Sequence, residues 1–141
     1  MTEGLNLRLL DVLGATADAL MAELDADACA LSRVIGDVLI LVAERAHDGA
    51  TLQQGQGYLV PDYPQTAQVL ATRVPRMLTL DDPDADGGEA ALLHELGYGS
   101  LMMVPLEING NAWGLAEVYR RERKAFTHED AGRAVELCRL T

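Results

Sequence analysis

"YGSLMMVPLEINGNAWGLAEVYR" (98–120) holds two extended runs on either side of Asn109-Gly110. Asn-Gly supplies the positive φ angles of a two-residue type I′ turn, so the stretch is expected to be a β-hairpin. A strand with one face in water alternates apolar and polar residues, whereas here nearly every position is apolar. Both faces of this hairpin must therefore be covered, and the fold must offer a layer on each side of an antiparallel sheet.

The rest of the chain supplies those layers. "ACALSRV" and "DVLILVAER" flank Ile35, Gly36 and Asp37 and suit a strand, a short turn and a returning strand. The second is apolar at four consecutive positions, Val38 to Leu41, and asks for the same two-sided burial. Residues 46–63 are rich in Gly, Gln and Asp, with a short strand expected near Tyr58 to Val60. In "YPQTAQVLATRVP", Pro64 starts a helix and Pro75 stops it. "RMLTL" follows as a short strand, "DDPDADGG" as a loop, and Glu89 to Leu96 as a short helix closed by Gly97.

The chain begins and ends in longer helices. From Leu5 to Leu24, the residues Leu10, Leu13, Ala17, Leu20 and Leu24 keep a three-four spacing that serves either a seam against the chain's own sheet or a dimer seam. "FTHEDAGRAVELCRL" closes the chain as a helix over 127–140, with Thr127 as N-cap and Asp130 three residues on. The expected architecture is α+β, a three-layer sandwich: about six antiparallel strands, terminal helices on one face, short helices and loops on the other. The second face, being looser, is where a cavity is expected. One domain covers 1–141, with the N-terminal helix over 1–25 and the core over 26–138.

Bulk properties narrow the function. Aromatics make up 4% of the 141 residues, the formal charge is −11, and Lys124 is the single lysine. Nucleic-acid binding needs clustered cations and stacking surface, so no nucleic-acid partner is expected. Arg120, Arg121, Arg123 and Lys124 form the one basic cluster and read as a solvated connector. No apolar run approaches the roughly 20 residues of a membrane span and no signal peptide opens the chain, so a cytoplasmic location is expected. Cys29 and Cys138 fall in a strand and a helix and read as small core residues.

These motifs resemble a GAF domain, the small-ligand sensor module of signalling proteins. The resemblance runs from about Ala26 to Cys138, through "DACALSR", "YGSLMMVPL", "WGLAEVYR" and "FTHED". The segment "DYPQTAQVLATRVPRMLTLDDPDAD" looks like the pocket side of bacterial GAF domains that accompany diguanylate cyclases, phosphodiesterases, phosphatases and histidine kinases, which places the chain in bacterial, cyclic-dinucleotide or kinase signalling. The resemblance implies a ligand pocket opposite terminal helices that form a homodimer, an attached or associated signalling output domain, and regulation rather than catalysis. It leaves the small molecule and any cofactor unidentified.

Candidate ligand-binding residues follow from the pocket-side segment: Tyr58, Asp62, Tyr63 and Arg73 at the mouth, Asp81 after the short strand, and Met103 on the floor. Arg73 could pair with an anionic group. His94, on a short helix over the presumed pocket, is the candidate haem ligand in a second reading. A third reading is a thiol-dependent redox enzyme of the free methionine sulfoxide reductase type through Cys29 or Cys138. That chemistry needs exposed thiols in the pocket-side loops, and neither cysteine falls there. No bilin attachment site, metal-ligand spacing, phosphate loop or nucleophile elbow is present in the sequence.

Overall fold

A computed structural model describes residues 2–47, 57–81 and 87–140, with side chains from residue 8 in the first segment and from residue 89 in the third. Most of the Gly- and Gln-rich stretch after His47 and of the acidic loop before Gly87 lies outside the described residues. The elements are α1 (Thr2–Glu23), β1 (Ala28–Ile35), β2 (Val38–Ala46), β3 (Gly57–Leu59), α2 (Pro64–Thr72), β4 (Arg76–Thr79), α3 (Gly87–Leu96), β5 (Ser100–Ile108), β6 (Asn111–Arg120), α4 (His128–Leu137) and β7 (Arg139–Leu140), with a 3-10 turn over Val60–Asp62.

The sheet has the order β3-β2-β1-β6-β5-β4, each neighbour antiparallel to the next. The opening hairpin forms as expected: Asn109 (φ 52) and Gly110 (φ 80) make the turn between β5 and β6. A second requirement for glycine arises at Gly114, where a Cβ would stand 1.9 Å from the Ser32 carbonyl oxygen. Strands β1 and β6 approach that closely because no side chain separates them.

Both faces of the sheet are covered. On one side, Leu13, Ala17 and Leu20 of α1, Leu24 just after it, and Ala131, Ala134 and Cys138 at α4 pack on Cys29, Leu31, Met102, Val104, Ala116 and Val118. On the other, Val69 of α2 and Leu93 of α3 pack on Ala30, Leu39, Leu41, Leu101, Met103 and Leu115. The α1 seam is thus spent on the chain's own sheet, and each of its fully buried leucines contributes about 1.5–3 kcal/mol. Leu10 is the departure, being 49% exposed.

Strand β2 serves both layers by means of a bulge. Leu31 pairs with Ala43 and Ser32 with Leu41, leaving Val42 as the extra residue. Leu39 and Leu41 therefore face the short helices while Ala43 faces the terminal ones.

Two expectations are corrected. The last helix stops at Leu137 rather than 140, and Arg139–Leu140 become a strand parallel to β5 at Glu107 and Ile108. β4 pairs with β5 only as far as Met103, so β5 has an open edge beyond it. There Glu107 N–H donates to Cys138 O (3.0 Å) and Asn109 N–H to Leu140 O (2.9 Å), pairing groups that the edge would otherwise leave open. Nor is Arg120 part of a solvated connector. Its guanidinium donates to Leu24 O (2.6 Å), lies 3.7 Å from Asp130 and stacks 4.0 Å from the Phe126 ring centroid, with the side chain only 12% exposed. It thereby caps the carbonyl end of α1 and reaches the first turn of α4, whose capping box, Thr127 with Asp130, is complete. Among the described residues no helix is long and apolar enough to cross a membrane.

Candidate functional site

A cavity lies on the short-helix side of the sheet, between the strands and residues of α2 and α3. Its floor is the sheet itself, with Ser32 of β1 and Glu117 and Tyr119 of β6. Its walls are Tyr58 of β3, Tyr63, Thr66 of α2 and Glu89 of α3, closed by leucines of β2 and α3. The space open to the centre of a water-sized sphere is about 30 Å³, room for about two waters. Tyr58, Tyr63, Leu92 and Leu96 also border a wider outer vestibule of about 370 Å³, rimmed by Asp62 and Glu95.

Strand parity puts Glu117 on this floor. Ala116 and Val118 pack toward the terminal helices, Leu115 and Tyr119 toward the short ones, so Glu117 must share the cavity side. In register it stands beside Ala30 of β1 and Met103 of β5, with Glu44 of β2 one strand further along the same row. Glu117 is half-buried and lines the cavity. Enclosure is the main reason that this carboxyl is pushed up from 4.5 to about 7, with the nearby Glu89 charge adding to it. A hydrogen bond from Tyr119 Oη to Glu117 Oε2 (2.9 Å) works in the opposite direction.

The other polar groups are held by local structure. Thr66 N–H, one of the free donors at the start of α2, donates to Glu89 Oε2 (3.0 Å), so an acid of α3 caps the neighbouring helix. The Thr66 hydroxyl lies 3.4 Å from the same oxygen and 3.3 Å from the Met103 sulfur, and its single proton serves one of them at a time. Tyr58 and Tyr63 meet edge to face, centroids 6.1 Å apart, and Tyr119 stacks on Tyr98 at 5.0 Å. Burial raises the phenols of Tyr58 and Tyr63, and that of Tyr119 well above 10, so all three remain hydroxyl donors at neutral pH.

The residues expected from sequence divide between this site and other places. Tyr58 and Tyr63 line both the cavity and the vestibule, and Asp62 lines the vestibule. Met103 is fully buried beneath α2, touching the site through Thr66. Arg73 does not stand at the mouth: as the left-handed C-cap of α2 (φ 58) it turns toward the β5–β6 turn, donating to Glu107 Oε2 (3.2 Å) and Gly110 O (3.1 Å). Asp81 pairs with Arg123 at 2.7 Å, away from the cavity. His94 is exposed on α3 and outside the lining. Ser32, Thr66, Glu89, Glu117 and Tyr119 were not foreseen. For Glu117 a signal existed, namely a single acid inside a strand whose apolar pattern demands burial on both faces.

Cys29 and Cys138 are fully buried in the layer between the sheet and the terminal helices, on the opposite side from the cavity. Burial pushes the Cys138 thiol up to about 12 and that of Cys29 higher still. Among the described residues, no group of three or more His, Cys, Asp or Glu is placed to hold a metal ion.

Comparison with known proteins places this arrangement. The model of the GAF domain family matches residues 8–141. The GAF domain of a two-component sensor histidine kinase from Bacillus halodurans superposes with a TM-score of 0.74 at 16% identity, over 91% of this chain and 86% of that one. The blue-light-absorbing form of the PixJ GAF domain from Thermosynechococcus elongatus gives 0.75 at 18%, over 92% and 80%. The phycocyanobilin-bound GAF domain of a cyanobacterial phytochrome gives 0.75 at 18%, over 96% and 84%. At such identities the likeness establishes the fold. No curated protein matches the chain in sequence.

Proposed function

This chain belongs to the GAF family, and on that premise we propose that it is a non-enzymatic sensory module. It holds a small molecule in the cavity and passes the bound state through its terminal helices to an attached or associated signalling domain. The observation that carries this reading is strand β6. Glu117 and Tyr119 face the cavity, and the next residue, Arg120, holds the Leu24 carbonyl at the end of α1 and reaches Asp130 in α4. A ligand that shifts this strand moves a side chain that touches both terminal helices, which Arg133 of α4 and Glu23 of α1 also join directly. Such a shift is coupled to output only so far as the ligand binds two helix arrangements unequally.

The solved relatives are sensor domains of a kinase and of photoreceptors, which supports regulation over catalysis. So do the cysteines, which lie behind the sheet and do not meet a ligand in the cavity, against both a thiol enzyme and thioether attachment of a bilin. The exposed His94 gives a haem reading no support. In this reading residues 1–141 act as one cytoplasmic unit, and dimerisation through the terminal helices uses the exposed Leu10 and Val12 of α1. Native mass spectrometry of the intact protein tests both parts. A retained small molecule and a dimer mass are expected, whereas a ligand-free monomer that no compound of a metabolite library stabilises would overturn the proposal.

A further inference from the structure

The chemistry of the cavity wall narrows the ligand. Among the described residues that line the cavity and its vestibule there is no lysine, arginine or histidine. The charged groups are all acids: Glu117 and Glu89 inside, Asp62 and Glu95 at the rim. Phosphates and carboxylates are recognised by cationic side chains or by clustered N–H donors, and the Thr66 N–H at the start of α2 is already taken by Glu89. An anion entering here would meet like charge at every depth.

We infer that this pocket takes a small organic amine, its ammonium group set against Glu117 and the ring faces and hydroxyls of Tyr58, Tyr63 and Tyr119. The proposal rests on the ligand-sensing reading above and deepens it. Carboxylates with converging tyrosines recognise ammonium groups, their oxygens accepting charge-assisted hydrogen bonds from the N–H groups and the ring faces attracting the cation. The dimensions set the shape of the ligand. The inner cavity admits an ammonium head in place of about two waters, while the vestibule holds an aliphatic tail among Leu92 and Leu96. A second ammonium at the far end would meet Asp62 and Glu95, so a short α,ω-diamine satisfies both levels.

Protonation gives the inference a second signature. The groups facing Glu117 are Tyr119 on its own strand, Glu89 on α3, Tyr58 on β3, Tyr63 before α2 and Glu44 across the row. With Glu117 titrating near 7, its ionised fraction rises from about a tenth at pH 6 to about nine-tenths at pH 8. An aliphatic amine stays protonated across that range, so its affinity should rise about tenfold.

The test is titration calorimetry and thermal shift on the intact protein with methylamine, tetramethylammonium and 1,4-diaminobutane, beside acetate and inorganic phosphate, at pH 6 and pH 8. At least one amine should bind, about tenfold tighter at pH 8. Glu117→Gln should weaken it roughly tenfold or more at pH 8 and remove the pH dependence, while Asp81→Asn, outside the site, should leave both intact. Native mass spectrometry after exposure to a metabolite extract separates the two levels of failure. Capture of an anionic or neutral molecule in place of an amine overturns the amine inference and keeps the sensory reading; capture of nothing, with no amine binding, overturns both. Amine binding that Glu117→Gln leaves unchanged overturns the placement at this cavity.

Discussion

Replacing Glu117 with glutamine should stabilise the protein above neutral pH and do little in acid. The carboxyl is raised from 4.5 to about 7 by enclosure, then by the Glu89 charge, against the Tyr119 hydrogen bond. The folded chain therefore binds this proton more tightly than the unfolded chain. The resulting stabilisation is fully present below pH 4.5 and is lost as pH rises through 7. At 1.36 kcal/mol per pKa unit, the whole interval is worth about 3 kcal/mol, of which about 2.5 kcal/mol falls between pH 5 and pH 8. Glutamine keeps an acceptor for Tyr119 and does not titrate. Urea unfolding of both proteins, followed by the fluorescence of the single tryptophan, Trp113, gives the difference in stability at each pH. Other titrating groups are common to both chains and cancel, so the glutamine protein should gain about 2.5 kcal/mol relative to wild type from pH 5 to pH 8. A difference constant to about 0.5 kcal/mol over that range would refute the placement of Glu117 in an enclosed, acidic cavity.

Further substitutions probe the frame around the site. Gly114→Ala forces a methyl into the Ser32 carbonyl and should cost at least about 2 kcal/mol in urea unfolding, with β1 and β6 pushed apart. Thr127→Ala removes one half of the α4 capping box and should cost about 1 kcal/mol, visible as a lower thermal midpoint. Cys29 and Cys138, buried and with raised thiols, should resist iodoacetamide until the chain unfolds; labelling in native buffer that outpaces global unfolding would show that one of them is reachable.

Hairpins, caps and the burial demand of each strand were legible in the sequence because they are local. Asn109-Gly110 sets its own turn, Thr127 and Asp130 cap each other three residues apart, and the continuous apolar runs of β2 and β5 announce a layer on each face. The α1 seam was visible too, though spacing could not say whether it met this chain's sheet or a second copy. Three of the seven expected site residues fell elsewhere for tertiary reasons. Arg73 is turned to the hairpin tip by its left-handed backbone, Asp81 is held by Arg123 from 42 residues away, and His94 faces outward on α3. The residues that do line the cavity come from β1, β2, β3, β5, β6, α2 and α3, with Tyr63 just before α2, and only the tertiary fold brings them together. Glu117 was the one most open to inference, since strand parity alone opposes it to Ala116 and Val118. Arg120 was misread because a run of basic residues after a strand resembles a solvated loop, and nothing local reveals the Leu24 carbonyl 96 residues away.

Hydrogen exchange of the intact protein with and without 1,4-diaminobutane at pH 8 addresses most directly the idea that a ligand under α2 and α3 is felt across the sheet. Protection should rise at α2, α3 and β6 and also change at the end of α1 and the start of α4, where Arg120 fastens both. A change confined to α2 and α3, or none anywhere, would contradict it.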